Sequence, residues 1–145
     1  MPNTDANNVE IVLVEDNPND IELTLRALRK HNIANKIQVL RDGDEAINFL
    51  FRDPSPAEHP PKVILLDVKL PKITGLEILR KIKADPRLKT VPVVMLTSSQ
   101  EEKDIVESYQ LGVNSYIVKP IDFSRFADSI AQLGLYWLLL NRSPF

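Results

Sequence analysis

The stretch Val63-Ile64-Leu65-Leu66-Asp67-Val68-Lys69-Leu70-Pro71 indicates how the chain folds. Its four consecutive apolar residues are typical of a strand that is buried on both faces, as in a parallel sheet. The run ends on Asp67, and Pro71 follows in what must be a loop. Ligands of open α/β sheets bind outside the carboxyl ends of the strands. Asp67 is therefore a candidate for chemistry, although an aspartate that caps a turn is the alternative.

Similar apolar runs predict four more strands, separated by segments with helical spacing. The predicted strands cover residues 9–14, 37–40, 91–96 and 115–118. Five strands that alternate with five helices indicate βαβ crossovers and a parallel sheet with helices on both faces. This alternation leaves the strand order open, because several doubly wound orders share it.

Short signals predict where the helices begin and end. Thr74 and Ser99 each precede a glutamate at capping-box spacing, and Asp122 is a predicted N-cap. Gly112 is the predicted C′ residue of the helix that Ser99 begins. The last helix would carry an apolar side made of Phe126, Ile130, Leu133 and Trp137. The four prolines of residues 53–61 predict a surface loop without regular structure.

The composition is that of an ordinary globular protein. Of the 145 residues, 43% are hydrophobic and 26% are charged, and the formal net charge is -2. This near-neutral balance argues against bulk electrostatic binding to nucleic acid or to a membrane. Because there is no cysteine, disulfides, thiolate catalysis and cysteine-ligated metals are excluded, and a cytoplasmic location is expected.

The two ends of the chain differ from its middle. Residues 1–8 are polar, lack the features of a signal peptide and are predicted to be a disordered tail. One domain is expected over residues 9–140, followed by a C-terminal tail at 141–145. The apolar segment 133–140 is far shorter than the roughly 20 residues that span a bilayer.

Polar residues follow four of the five predicted strands. Because the carboxyl ends of parallel strands share one edge, Glu15, Asp16, Asp67, Thr97 and Lys119 should converge there. Each has an ordinary alternative. Glu15 and Asp16 could belong to a turn, Thr97 could cap the end of a strand, and Lys119 could be a solvated charge. Their joint occurrence favours a site. Clustered carboxylates repel one another unless a hard divalent cation joins them, which suits Mg²⁺.

A carboxylate beside such a cation can attack phosphorus and form an acyl phosphate. A lysine neutralises charge on the transferring group, and a hydroxyl can donate a hydrogen bond to one of its oxygens. The residues alone therefore suggest phosphoryl transfer at this edge.

The chain resembles the receiver domain of two-component response regulators over nearly its whole length. The resemblance lies in Val14-Glu15-Asp16-Asn17, Leu65 to Pro71 with Gly75, Leu96-Thr97-Ser98 and Val118-Lys119-Pro120. It implies a flavodoxin-like, doubly wound fold with strand order 2-1-3-4-5.

The resemblance also implies roles for single residues. Asp67 would accept a phosphoryl group from a sensor histidine kinase, and Lys119 would contact that group. Glu15, Asp16, Asp67 and the backbone carbonyl of Lys69 would bind Mg²⁺, with Mn²⁺ or Ca²⁺ as substitutes.

A two-state switch is implied as well. Thr97 would be the switch hydroxyl and Tyr116 the aromatic residue that turns inward with it. Lys119-Pro120 would carry a cis peptide bond. Phosphorylation would then change the surface formed by the helix after Ser99, the strand at 115–118 and the helix after Asp122.

The end of the chain suggests how the signal leaves. No helix-turn-helix fits after Asn141, so a stand-alone receiver is expected. The apolar segment 133–140 is either a frayed helical turn or, as we favour, an interface for a homodimer or partner. The long Pro-rich loop and the aromatic C-terminal part resemble small receivers that pair with phytochrome kinases of cyanobacteria and other bacteria.

Two other classes share parts of this pattern. Phosphatases of the haloacid dehalogenase type have a second aspartate two positions after the nucleophile, where this chain has Lys69. Flavodoxin-like electron carriers open the first loop with hydroxyls and glycines, where this chain has Glu15 and Asp16. We therefore expect a signal relay protein, not an enzyme, whose only chemistry is its own phosphorylation and dephosphorylation.

Overall fold

The computed structural model describes residues 9–30 and 36–132, and these contain a five-stranded parallel sheet. The order β2-β1-β3-β4-β5 confirms the fold class and the strand order that the resemblance implied. The strands are β1 (Ile11–Val14), β2 (Ile37–Leu40), β3 (Val63–Asp67), β4 (Val93–Thr97) and β5 (Ser115–Val118).

Helices cover both faces of the sheet. They are α1 (Pro18–Lys30), α2 (Gly43–Ile47), the one-turn α3 (Ser55–Glu58), α4 (Gly75–Ala84), α5 (Gln100–Ser108) and α6 (Phe123–Gln132), and a π-helical turn at Asn48–Arg52 continues α2.

The central strand β3 explains the unbroken apolar run. Ile64 and Leu66 pack into the core on one face of the sheet, and Val63 and Leu65 pack into the core on the other. All four side chains are fully buried. The strand therefore has no solvent face, and its only polar position is the terminal Asp67.

The predicted helix starts are confirmed. The side chains of Thr74, Ser99 and Asp122 accept hydrogen bonds from backbone N–H groups three residues later, at 3.2, 3.1 and 2.8 Å. These caps fix the chain direction directly after β3, β4 and β5. They therefore fix the loops that border the carboxyl ends of these strands.

Two predicted boundaries were wrong. Helix α5 ends at Ser108, and Gln110, with φ 50°, has the left-handed conformation expected of a C′ residue. Gly112 also has a positive φ but lies in the loop beyond. The loop at 53–61 contains the short helix α3, since Pro56 lies in its first turn, where a missing N–H costs nothing.

Several predictions concern residues outside the described ranges. They include the tails at 1–8 and 141–145, the apolar segment 133–140, and the contribution of Leu133 and Trp137 to the last helix. The predicted domain bounds stay predictions for this reason. In the described ranges, no helix combines the length and the apolar character that crossing a bilayer requires.

Candidate functional site

Three carboxylates meet at the carboxyl ends of the neighbouring strands β1 and β3. Glu15 directly follows β1, Asp67 ends β3, and one oxygen each from Glu15, Asp16 and Asp67 lies within 4.8 Å of the others. Glu15 is fully buried and Asp67 is 4% exposed, whereas Asp16 is exposed. The site therefore has two buried carboxylates at its floor and a third at its mouth.

Lys119 brings one positive charge to this cluster from the end of β5. Its Nζ lies 2.6 Å from Oε1 of Glu15, 3.1 Å from Oδ2 of Asp67 and 2.9 Å from Oδ2 of Asp20. The ammonium donates hydrogen bonds to Asp20 and Asp67 and forms an ion pair with Glu15. The peptide bond between Lys119 and Pro120 is cis, as the resemblance implied.

Asp20 is a member of the site that the sequence analysis missed. The segment from Asn17 to Asp20, to which the sequence analysis assigned no role in the site, begins helix α1. Oδ1 of Asn17 accepts the N–H groups of Asn19 and Asp20, and Pro18 is the first residue of α1. The available signal was an acidic residue in the first turn of a helix that begins beside Glu15 and Asp16.

The loop after β3 holds Asp67 by backbone contacts. The N–H of Lys69 donates to Oδ1 of Asp67 at 3.2 Å, and the N–H of Gly75 donates to the carbonyl of Val68 at 3.0 Å. A Cβ atom at Gly75 would overlap the carbonyl oxygen of Asp67. Only glycine permits this close approach of helix α4 to the end of β3.

The pKa values of two groups in the cluster are shifted from their ordinary values. Burial, the largest cause, and the neighbouring Asp67 raise the pKa of Glu15 to about 8, while Lys119 opposes this shift. Burial lowers the pKa of Lys119, but the close contacts with Glu15 and Asp20 and the charge of Asp67 outweigh it, so that this pKa is raised. One lysine thus faces more negative charge than it can neutralise.

The buried oxygen Oε1 of Glu15 indicates what the cluster could bind. Oε1 is close to Nζ of Lys119, yet the ion pair lacks hydrogen-bond geometry, and Oε1 has no hydrogen-bond partner among the described residues. A buried carboxylate oxygen without a partner is costly. Glu15, Asp16 and Asp67 offer one oxygen donor each within 4.8 Å of the others, and such a cluster fits a hard divalent cation.

Thr97 is placed differently from the carboxylates. It ends β4, beside β3, and its side chain is fully buried. Its Oγ1 has no hydrogen-bond partner among the described residues, and its carbonyl accepts the N–H of Lys119 at 2.8 Å. An unpaired buried hydroxyl requires an explanation, and a donor kept ready for a ligand is one.

Tyr116 contacts α5 from the strand that Lys119 follows. It is half-buried in β5, and Nζ of Lys103 lies 5.5 Å from the centroid of its ring. Burial, with the charge of Glu107, raises the pKa of its hydroxyl. The structure therefore places Tyr116 on the surface between β5 and α5, and its inward movement stays a prediction.

Glu102 is a second residue that the sequence analysis did not assign to the site. Its carboxylate accepts the N–H of Ser98 at 2.8 Å and lies 3.3 Å from Nζ of Lys69. It therefore connects the loop after β3 with the loop after β4. The predicted role of the Lys69 carbonyl as a metal ligand stays a prediction.

Comparison with known proteins gives a consistent result. Residues 11–131 match the response regulator receiver domain. The chain is 39% identical to the probable methanogenesis regulatory protein FilR2 of Methanothrix harundinacea, over 92% of this chain and 86% of that one. It is also 39% identical to the response regulator Rcp1 of Synechocystis, over 88% of each chain.

Solved structures agree with these matches. The bacteriophytochrome response regulator RtBRR is 49% identical, with a TM-score of 0.84 over 94% of this chain and 84% of that one. The Mn²⁺-bound form of Rcp1 is 37% identical, with a TM-score of 0.69 over 94% of this chain and 99% of that one. The chain belongs to the family of response regulator receiver domains, and phytochrome response regulators are among its similar relatives.

Proposed function

We propose that Asp67 of this response regulator accepts a phosphoryl group from a sensor histidine kinase. The observation that carries the proposal is the position of Asp67: a buried strand-end carboxylate 3.1 Å from Nζ of Lys119, within the carboxylate cluster. In the transfer, a carboxylate oxygen of Asp67 forms a bond to phosphorus as the bond from phosphorus to the kinase histidine breaks.

Glu15, Asp16 and Asp67, with the backbone carbonyl of Lys69, would hold Mg²⁺, or Mn²⁺ or Ca²⁺ in its place. The oxygen-only donor set, the raised pKa of Glu15 and the solved Mn²⁺-bound form of the relative Rcp1 support this assignment. When bound, the cation would neutralise charge on the transferring phosphoryl group.

Lys119 and Thr97 would hold the phosphoryl oxygens after transfer. The ammonium of Lys119 already faces Asp67, and the buried hydroxyl of Thr97 lacks a partner among the described residues. A phosphoryl group adds about two negative charges and three acceptor oxygens, which favour movement of both donors toward it. Tyr116 would turn inward with Thr97 and change the surface of α5, β5 and α6.

Intact-mass measurement with a small phosphodonor tests the proposal. Wild type, Asp67→Asn and the control Asp44→Asn are incubated with acetyl phosphate and Mg²⁺. Asp44 is exposed and pairs with Lys72 outside the cluster. We expect a phosphoryl mass increment on wild type and on Asp44→Asn alone. An equal increment on Asp67→Asn, or none on wild type, would contradict the role of Asp67.

We further propose that the kinase belongs to a phytochrome pathway, because the similar structure RtBRR is described as a bacteriophytochrome response regulator. The relative FilR2 is named for the regulation of methanogenesis, so a kinase of such a pathway is the alternative. Phosphotransfer from a purified bacteriophytochrome kinase, compared with a kinase of unrelated input, distinguishes the two. Equal or faster transfer from the unrelated kinase would count against the phytochrome pathway.

A homodimer through α5, β5, α6 and residues 133–140 is the output that we propose. Ile105 of α5 is 53% exposed, and Tyr109, directly after α5, is 49% exposed, so two large exposed side chains lie four positions apart on this face. Light scattering after size exclusion should give a dimer for wild type and a monomer for Ile105→Asp. A monomeric wild type, with or without phosphorylation, would exclude this output.

The proposed role is signal relay in the cytoplasm, without turnover of a substrate. Lys69 stands two positions after Asp67, where a phosphatase of the haloacid dehalogenase type needs its acid–base aspartate. Multiple-turnover hydrolysis of added phosphate esters would contradict this part of the proposal.

A further inference from the structure

Asp20 places an additional carboxylate on the lysine that serves the phosphoacceptor. Its Oδ2 lies 2.9 Å from Nζ of Lys119, whereas Oδ2 of Asp67 lies 3.1 Å from it. The side chain of Asp20 is 27% exposed, so the pair lies at the mouth of the site. Asp20 lies 99 positions from Lys119 in the sequence, and the contact depends on the fold.

We propose that Asp20 is a positioning residue that restrains Lys119 and thereby weakens the hold of Lys119 on the phosphoryl group. The inference rests on the proposed function, in which Asp67 carries that group. Asp20 would set how firmly the active state is held, without itself touching the phosphoryl group.

The inference follows from the way in which three carboxylates share the ammonium of Lys119. The ammonium of Lys119 donates hydrogen bonds to Asp20 and Asp67 and lies 2.6 Å from Oε1 of Glu15, so three carboxylates compete for one ammonium. Glu15 and Asp67 belong to the carboxylate cluster that would hold a cation, and Asp20 does not. Cation binding would therefore occupy two of the lysine's partners and leave Asp20 as its competitor for a phosphoryl oxygen.

The backbone around Asp20 keeps its carboxylate in place. The N–H of Asp20 donates to Oδ1 of Asn17 at 3.1 Å, and its carbonyl accepts the hydroxyl of the buried Thr24 at 2.7 Å. Pro18 further restricts this first turn of α1. Because the first turn is fixed on both sides, Asp20 presents its carboxylate to Lys119 from an ordered helix start.

The affinity for beryllofluoride, a tetrahedral mimic of the phosphoryl group, tests the proposal at saturating Mg²⁺. Asp20→Asn keeps the size of the side chain and an acceptor oxygen but removes the charge. We expect it to bind beryllofluoride about three- to tenfold more tightly than wild type, the effect of one charge on a partly exposed neighbour. Asp20→Glu, which restores the charge, should return the affinity toward that of wild type.

Glu22→Gln is the matched control, because Glu22 is an exposed carboxylate on the same helix that pairs with Arg26. It should leave the affinity unchanged. Weaker or unchanged binding by Asp20→Asn would overturn the proposal, since a merely structural role would loosen Lys119 and weaken binding. An equal gain in Glu22→Gln would overturn it as a general charge effect. Failure of the proposed function is a separate result: no binding by wild type, or equal binding by Asp67→Asn.

Discussion

Two adjoining parts of β3 have opposite energetics. Residues Val63 to Leu66 are apolar, fully buried and packed into the two cores. One position later, Asp67 joins a cluster in which Glu15 is buried with an unsatisfied oxygen. The apolar run stabilises the fold whether or not a ligand is present. The carboxylate end, in contrast, costs stability that a bound ligand would recover.

The magnitudes explain why the protein tolerates this contrast. Full burial of a side chain such as Leu or Ile contributes about 1.5–3 kcal/mol. A buried carboxylate costs several kcal/mol unless it is paired, and three carboxylates share Lys119 here. Substitution in the run should therefore destabilise the protein under all conditions, whereas substitution at the carboxylate end should have effects that depend on Mg²⁺ and pH.

Leu65→Ala should give the largest effect. Leu65 is fully buried in β3, and its truncation leaves a cavity in a close-packed core. We expect the free energy of unfolding in urea to fall by about 2–5 kcal/mol. Mg²⁺ should stabilise the variant by as much as it stabilises wild type. A much smaller Mg²⁺ effect in the variant would show that the two regions are not independent.

Gly75→Ala should affect both regions, because the added Cβ would overlap the carbonyl of Asp67. We expect a loss of about 1–3 kcal/mol in the free energy of unfolding, typical of overpacking. The displaced strand end should also weaken Mg²⁺ binding, measured by calorimetry. Unchanged Mg²⁺ affinity would mean that helix α4 adjusts without moving the site.

The pH dependence of metal-free protein should reveal the raised pKa of Glu15. Between the ordinary pKa of 4.5 and the raised value of about 8, the folded state keeps a proton that the unfolded state has lost. The free energy of unfolding should therefore decrease as pH rises through this window, by about 1–2 kcal/mol. Over the same window Mg²⁺ affinity should rise, because the cation requires the ionised carboxylate. A pH-independent Mg²⁺ affinity would contradict the assignment of Glu15 as a ligand.

Ser99→Ala should give the smallest effect. The hydroxyl of Ser99 caps α5 by accepting the N–H of Glu102 at 3.1 Å. Its loss should cost about 1 kcal/mol, and Thr74→Ala, which removes the cap of α4, should cost a similar amount. Neither loss should depend on Mg²⁺, since neither hydroxyl belongs to the carboxylate cluster. A Mg²⁺-dependent cost for one of them would extend the site to that loop.

Features that depend on residues close together in the sequence were predicted correctly. The apolar run before Asp67, the cap at Thr74 and the polar residues at strand ends are local patterns, and the structure agrees with them. The end of α5 was missed because Gln110 has a positive φ, a conformation that glycine adopts more often, and the prediction therefore chose Gly112. Asp20 was missed because it is 99 positions from Lys119 in the sequence, and only the fold brings the start of α1 close to the end of β5.

Unfolding of wild type and Glu15→Gln above pH 8, with EDTA or with Mg²⁺, tests the central claim that the carboxylate end is unfavourable until a cation completes it. With EDTA, we predict that Glu15→Gln is more stable than wild type by about 1 kcal/mol or more. Burial raises the pKa of the Glu15 carboxyl, so its ionised form destabilises the folded state, and the substitution removes that charge. With Mg²⁺, wild type should gain stability and the variant should gain little. A variant that is less stable than wild type in EDTA, or that gains equally from Mg²⁺, would contradict the claim.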